Sequence, residues 1–277
     1  MNYIVISPYY PENFQQFTIE LANKGIRVLG IGQEPYEQLG PGLQNALTEY
    51  FRVDNLENLD EVKRAVAFLF YKHGPIDRIE SHNEYWLEQD AQLREQFNVF
   101  GAKPNDLKKT KFKSEMKKLF QKAGVPVVPG QVVKKLSDVD QAVKKIGLPL
   151  IAKPDNGVGA AATFKIETAA DVEYFKAEWD QETVYFFEKF VTSSEICTFD
   201  GLIDSEGNIV FSTTFDYAYT PLDLMLYKMD NSYYILKEMD PKLRAYGEAI
   251  VQAFGMRERF FHIEFFRQDG DYIAIEY

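Results

Sequence analysis

Cysteine is almost missing: Cys197 is the one thiol in 277 residues. No disulfide can form within the chain, which fits a reducing compartment. A lone cysteine in an apolar, strand-like run reads as a small core residue. Histidine is equally scarce, and His73, His82 and His262 are too scattered for a zinc motif. No apolar run approaches the ~20 residues of a membrane span. The N-terminal Met-Asn-Tyr-Ile-Val-Ile-Ser-Pro lacks the basic segment of a signal peptide and reads as a strand. These absences point to a cytoplasmic protein with no membrane partner. Positive charge is also in deficit: 31 Lys and Arg against 42 Asp and Glu leave a net charge of −11. Nucleic-acid binders draw their affinity from neutralising phosphates, so nucleic acid is not an expected partner. Any phosphate must be held by a local set of lysines. A dinucleotide fingerprint is missing too, because Gly40-Pro41-Gly42 neither follows a strand nor opens a helix.

What is present begins with alternation. Residues 1–100 read as repeated βα units, with strands at Tyr3–Ser7, Arg27–Gly32, Tyr50–Val53 and Ile76–Glu80. The segment Asn58–His73 is a capped amphipathic helix: Asn58 and Glu61 form the start signal, and Leu59, Val62, Val66, Leu69 and Phe70 the apolar stripe. Gly74-Pro75 is its stop. Such repeats imply a doubly wound parallel sheet, which binds ligands beyond the carboxyl ends of its strands. The loop Ser81–Glu84 falls at such an end.

From Phe100 the composition shifts to a Lys-rich helix carrying Lys108, Lys109, Lys111, Lys113, Lys117, Lys118 and Lys122, stopped by Gly124. Most of these lysines read as a solvated face. A helix from Ser137 and a strand, Leu148–Lys153, follow. The strand runs into Pro154-Asp155-Asn156-Gly157-Val158-Gly159-Ala160 and the chain returns as a strand, not a helix. That excludes a Walker A loop, though a glycine loop between antiparallel strands can still fold its N–H groups over phosphate. An apolar strand then enters Glu188-Lys189-Phe190-Val191, and strands Ile196–Ile203 and Ile209–Phe215 follow. The stretch Asp216–Met239, rich in Tyr and Met, has no clean period. Residues 101–182 and 183–277 are expected to form two further lobes.

The last seventeen residues read as two strands joined at Asp269-Gly270, each with one carboxylate among apolar neighbours, Glu264 and Glu276. A two-residue turn pairs Gln268 with Asp271 and puts the two acids on opposite faces. A three-residue loop pairs Arg267 with Asp271 and puts them on the same face. Two carboxylates that close need a cation or a proton between them, and two hard oxygen ligands beside a phosphate suit Mg²⁺. Because the chain stops on what looks like a core strand, it is expected to be truncated at its C-terminus.

In this order, the Lys-bearing helix ending in Ala-Gly-Val-Pro, Leu-Pro-Leu-Ile-Ala-Lys-Pro with its glycine loop, the strand into Glu-Lys-Phe-Val, Glu195 seven residues after Glu188, and the two-Glu hairpin resemble the ATP-grasp superfamily of ligases across essentially the whole chain. The resemblance implies an N-terminal doubly wound domain followed by a two-lobed ATP-grasp fold. It implies Lys153 and Lys113 as phosphate lysines, with Lys111 an alternative to Lys113. It implies Gly157, Gly159 and Ala160 in a loop over the β- and γ-phosphates, Glu188, Lys189, Phe190 and Val191 at the adenine hinge, and Glu195 on the ribose. Glu264 and Glu276 are the implied ligands of Mg²⁺, with Mn²⁺ an alternative. The family usually adds an Asn two residues after the second Glu, a position beyond Tyr277. The implied function is ATP-dependent activation of a carboxylate as an acyl phosphate for attack by an amine. No protein side chain is required as the nucleophile. The alternatives are biotin-carboxylase-like or carbamoyl-phosphate-synthase-like chemistry on bicarbonate, and ATP binding without catalysis. The implied partners are small-molecule carboxylates and amines; monomer or homodimer is left open.

Overall fold

The computed structural model describes residues 1–156, 162–192, 195–220, 224, 228 and 230–277. The chain divides into two compact units, Met1–Leu107 and Lys108–Tyr277.

The first unit is a four-stranded parallel sheet in the order β3-β2-β1-β4, from β1 (Asn2–Ile6), β2 (Arg27–Gly32), β3 (Leu47–Arg52) and β4 (Arg78–Glu80). Helices α1 (Gln15–Asn23) and α2 (Pro41–Ala46) cover one face; α3 (Leu59–His73) and α4 (Leu87–Gln96) cover the other. Both faces are buried, so β1 is apolar at nearly every position, as a doubly wound sheet requires. The stripe in α3 is real: Val62, Ala65, Val66 and Leu69 are buried, Asn58 caps the amides of Asp60 and Glu61, and Gly74 ends the helix at φ 85°.

The loop after β4 is tied down by its own unit. His82 stacks on Phe17, and Ser81 donates through its amide and hydroxyl to Asp90, at 2.9 and 2.8 Å. Asp90 is fully buried beside Arg94, whose guanidinium also reaches Glu80 at 2.7 Å. Burial pushes the Asp90 carboxyl up to about 7, with the charge of Glu80 adding, against the opposing effects of Arg94 and Ser81. The folded state therefore binds a proton that the unfolded chain releases near 3.8, and the stability this brings is lost as pH rises toward 7. Asp90→Asn is expected to gain on the wild type as pH rises across that window. Urea unfolding at several pH values checks this, and parallel profiles for the two proteins would refute it.

The second unit contains two antiparallel sheets. One has the order β5-β8-β6-β7, from β5 (Gly130–Val133), β6 (Leu150–Pro154), β7 (Phe164–Ile166) and β8 (Tyr185–Lys189). It is backed by α7 (Leu136–Ile146) and by α8 (Ala169–Glu178), whose start is a Thr168–Asp171 capping box. The other has the order β12-β11-β9-β13-β14, with β10 pairing β9. Its strands are β9 (Ile196–Ile203), β10 (Ile209–Thr213), β11 (Phe215–Tyr217), β12 (Tyr233–Ile235), β13 (Arg259–Gln268) and β14 (Asp271–Glu276). One face of this sheet packs Cys197, Phe199, Ile263 and Phe265 against α6 (Lys113–Lys122) and α9 (Pro241–Phe254). Cys197 is thus the core residue its setting suggested.

Two expectations need correcting. The Lys-rich segment is two helices, not one. The first, α5 (Pro104–Lys111), ends at Phe112, which is extended at φ −91°, ψ 116° and bridges Asn156. The strand expected over Ile209–Phe215 is likewise broken, into β10 and β11. β11 pairs with β9 further along and then with β12, so part of the segment that had no readable period is sheet.

Candidate active site

The turn at Asp269-Gly270 is the two-residue kind. Both residues have positive φ, 52° and 75°, and Gln268 pairs with Asp271. A regular ladder would then send Glu264 and Glu276 to opposite faces. It is not regular: the pairing runs Phe265↔Ala274, then shifts by one residue to give Glu264↔Glu276. A β-bulge at Ile275 therefore places the two acids directly across from each other. Neither turn option foresaw this arrangement.

Each of these carboxylates has a cationic neighbour. Lys113 Nζ lies 3.0 Å from Glu276 Oε1. His262 Nε2 lies 3.5 Å from Glu264 Oε1, while its Nδ1 is 2.5 Å from Asp200. Burial would lower the His262 pKa, but its hydrogen bonds to Asp200 and Glu264 and their charges hold it up at about 10, so the ring is an imidazolium at neutral pH. Two adjacent carboxylates thus sit between two cations, as like charges at close range demand. The donor set suits a hard divalent cation: two carboxylates on opposed backbone positions, open to solvent on one side, with Glu276 33% exposed. No group of three His, Cys, Asp or Glu side chains placed to hold a metal occurs among the described residues.

Facing this pair is a second cluster, on the β6–β8 sheet. Alternation along β6 and β8 puts Leu150, Ala152, Tyr185 and Phe187 into the core, and Lys153 and Glu188 on the opposite face. Glu188 is 3% exposed, with Lys153 at 3.4 Å and Lys117 at 2.8 Å. Burial alone would raise the Glu188 carboxyl, but the charges of Lys117 and Lys153 hold it below the ordinary range. The angles at Glu188 Oε1 fall short of a hydrogen bond, so this buried acceptor has a charge partner without an aligned donor. A ligand amino group fits such an oxygen.

The start of α6 links the two clusters. Phe112 provides no side-chain cap, and the cap comes from the end of β6 instead. Asp155 accepts from the Ser114 amide and hydroxyl, each at 2.8 Å, and its carbonyl accepts from the Lys113 amide at 2.9 Å. A carboxylate at this helix end is favoured by the exposed amides. Lys113 is thereby fixed one turn from Lys117, and it is Lys113, of the two lysines left open, whose ammonium reaches Glu276.

The remaining expected residues are placed as follows. Lys189 donates to the carbonyls of Leu148 and Gly147, at 2.9 and 3.3 Å. The Phe190 amide donates to Pro149, and the Lys165 ammonium lies over the Phe190 ring. Val191 continues this segment, partly exposed. The Glu195 carboxylate is 3.6 Å from Arg267, which forks onto the buried Asp216 at 2.9 and 3.0 Å. Gly157, Gly159 and Ala160 lie outside the described residues. Sequence reasoning missed Lys117, Asp155 and the Asp200–His262 pair. Lys117 was legible as the residue four after Lys113, on the same helix face. Asp200 and His262 meet only because β9 and β13 are neighbours.

One antiparallel sheet carries the strand-end lysine and a second carries the paired acids, the two-sheet arrangement expected of an ATP-grasp fold. Comparison with known proteins agrees. The family model "Carbamoyl-phosphate synthase L chain, ATP binding domain" matches residues 112–245. The chain is 25% identical to the L-arginine-specific L-amino acid ligase of Bacillus subtilis, over 99% of this chain and 67% of that protein. Among solved structures, the L-amino acid ligase from Bacillus licheniformis superposes with a TM-score of 0.74 at 17% identity, over 99% of this chain and 66% of the other. The biotin carboxylase domain of the Hydrogenobacter thermophilus 2-oxoglutarate carboxylase, solved with MgADP and bicarbonate, gives 0.75 at 17%, over 99% and 63%. The chain has the ATP-grasp fold of these proteins, and it spans about two thirds of their length. No described helix is long and apolar enough to cross a membrane.

Proposed function

We propose that this chain is the ATP-binding part of a carboxylate–amine ligase. The observation that carries the reading is the convergence of four charged side chains. Glu264 and Glu276 oppose each other, Lys113 joins Glu276, and Lys153 projects from the facing sheet. On this reading Glu264 and Glu276 hold Mg²⁺, which would neutralise the β- and γ-phosphates of ATP and align them for transfer. Lys113 and Lys153 bind phosphate oxygens as point charges. The segment Glu188–Val191 receives the adenine, with Glu188 Oε1 as a hydrogen-bond acceptor, and Glu195 accepts from the ribose hydroxyls.

The substrate carboxylate attacks the γ-phosphorus, giving ADP and an acyl phosphate. An amine then attacks the acyl carbon and releases phosphate. The protein contributes position and charge stabilisation, and none of its side chains forms a covalent bond. The match to an L-amino acid ligase over nearly the whole chain supports amino acids as both carboxylate and amine.

Phosphate release from ATP, measured on the protein as encoded across pairs of amino acids, tests the reading. Release should require Mg²⁺ and depend on amino acids. Release driven by bicarbonate alone would move the assignment to carboxyphosphate chemistry, and an absence of saturable ATP binding would end it.

A further inference from the structure

Lys117 is the lysine of the cluster with no part in the mechanism above, and like Lys113 it is buried. It is 5% exposed, its ammonium is ion-paired with Glu188 at 2.8 Å, and it donates a hydrogen bond of 3.0 Å to the Ala274 carbonyl on β14. These two anchors lie on different sheets, so the ammonium cannot swing away without leaving both. Burial pulls its pKa below the ordinary value, against the opposing charge of Glu188. Lys153, by contrast, is 20% exposed along its side chain and sits further from Glu188, at 3.4 Å.

Charge counting gives Lys117 a role. Glu188 carries one negative charge in a buried position and has two ammonium neighbours. If Lys117 neutralises it, the charge on Lys153 is left over for a ligand. If Lys117 were uncharged, Glu188 would claim Lys153, and the strand-end lysine would present no net charge to a phosphate.

We propose that Lys117 is a positioning residue that neutralises Glu188 and so leaves the Lys153 ammonium free to bind the phosphates of the nucleotide. This rests on the proposed ATP-binding reading of the site. It predicts a defect specific to phosphate charge. A merely structural role would weaken every nucleotide alike.

The test is competition of ATP and of AMP against a fluorescent ADP analogue, on wild type, Lys117→Met, Lys117→Arg, Glu188→Gln and Lys117→Met/Glu188→Gln. Lys117→Met should weaken ATP about tenfold, the scale of one partly screened charge contact, and AMP much less. Lys117→Arg should keep the wild-type ratio of ATP to AMP affinity. In the Glu188→Gln background there is no charge left to neutralise, so adding Lys117→Met should not change that ratio. This last comparison stands even if Lys117→Met alone fails to fold, because the double variant buries no unpaired carboxylate. Equal weakening of ATP and AMP, or an undiminished ATP-specific loss in the Glu188→Gln background, would overturn the proposal. Wild-type protein that binds no ATP would instead overturn the reading beneath it.

Discussion

Glu276→Gln is expected to lower ATP-dependent phosphate release by about 10²–10³-fold, the cost of removing one charge-stabilising group from a phosphoryl-transfer site. The substitution keeps size and shape and removes one negative charge. Its amide oxygen can still accept from Lys113, so the buried ammonium keeps a partner where it now has Glu276 at 3.0 Å. Position 276 is also a third exposed and lies at the end of β14, so little core packing depends on it. The fold should therefore persist, with near-wild-type circular dichroism and only a small change in melting temperature.

What should fall is affinity for the divalent cation. In the variant the opposed pair offers one anionic oxygen ligand, Glu264, in place of two. Titrating Mn²⁺ in the presence of ATP, followed by electron paramagnetic resonance, would show weaker metal binding, and excess Mg²⁺ should recover part of the turnover. A protein with wild-type turnover and wild-type Mn²⁺ affinity would show that the two opposed acids do not hold the metal.

The same hairpin shows where the sequence was readable and where it was not. Both strands, the turn dipeptide and the two acids could be read from alternation and from Asp269-Gly270. The bulge could not, because Ala274 and Ile275 are both apolar and buried, so one extra residue leaves no break in the pattern. The break between α5 and α6 was hidden for a related reason. Its cap is Asp155, about forty residues away, so the run of lysines reads as one continuous helix until β6 is in place. Lys113 and Lys153 were named by resemblance. Their shared geometry depends on that long-range cap, which no local period encodes. In the first unit, by contrast, Asn58, Glu61 and Gly74 lie next to the helix they delimit, and α3 was legible almost to the residue.

Lys153→Ala should likewise reduce ATP turnover by about two to three orders of magnitude, since on the proposed reading it removes a charged donor to the nucleotide phosphates. Here the neighbour left behind decides whether the fold survives. Glu188 is buried, and a buried carboxylate stripped of every cation would cost several kcal/mol. It is not stripped, because Lys117 remains 2.8 Å away and is held there by the Ala274 carbonyl. The variant should fold with a modest loss of stability and lose ATP affinity far more than AMP affinity. Its metal binding should differ from that of Glu276→Gln: Mn²⁺ affinity measured at saturating ATP should stay close to wild type, because both carboxylates are intact. If Lys153→Ala instead lost metal and nucleotide binding together, the two sheets could not be acting as separate phosphate and metal walls of one site.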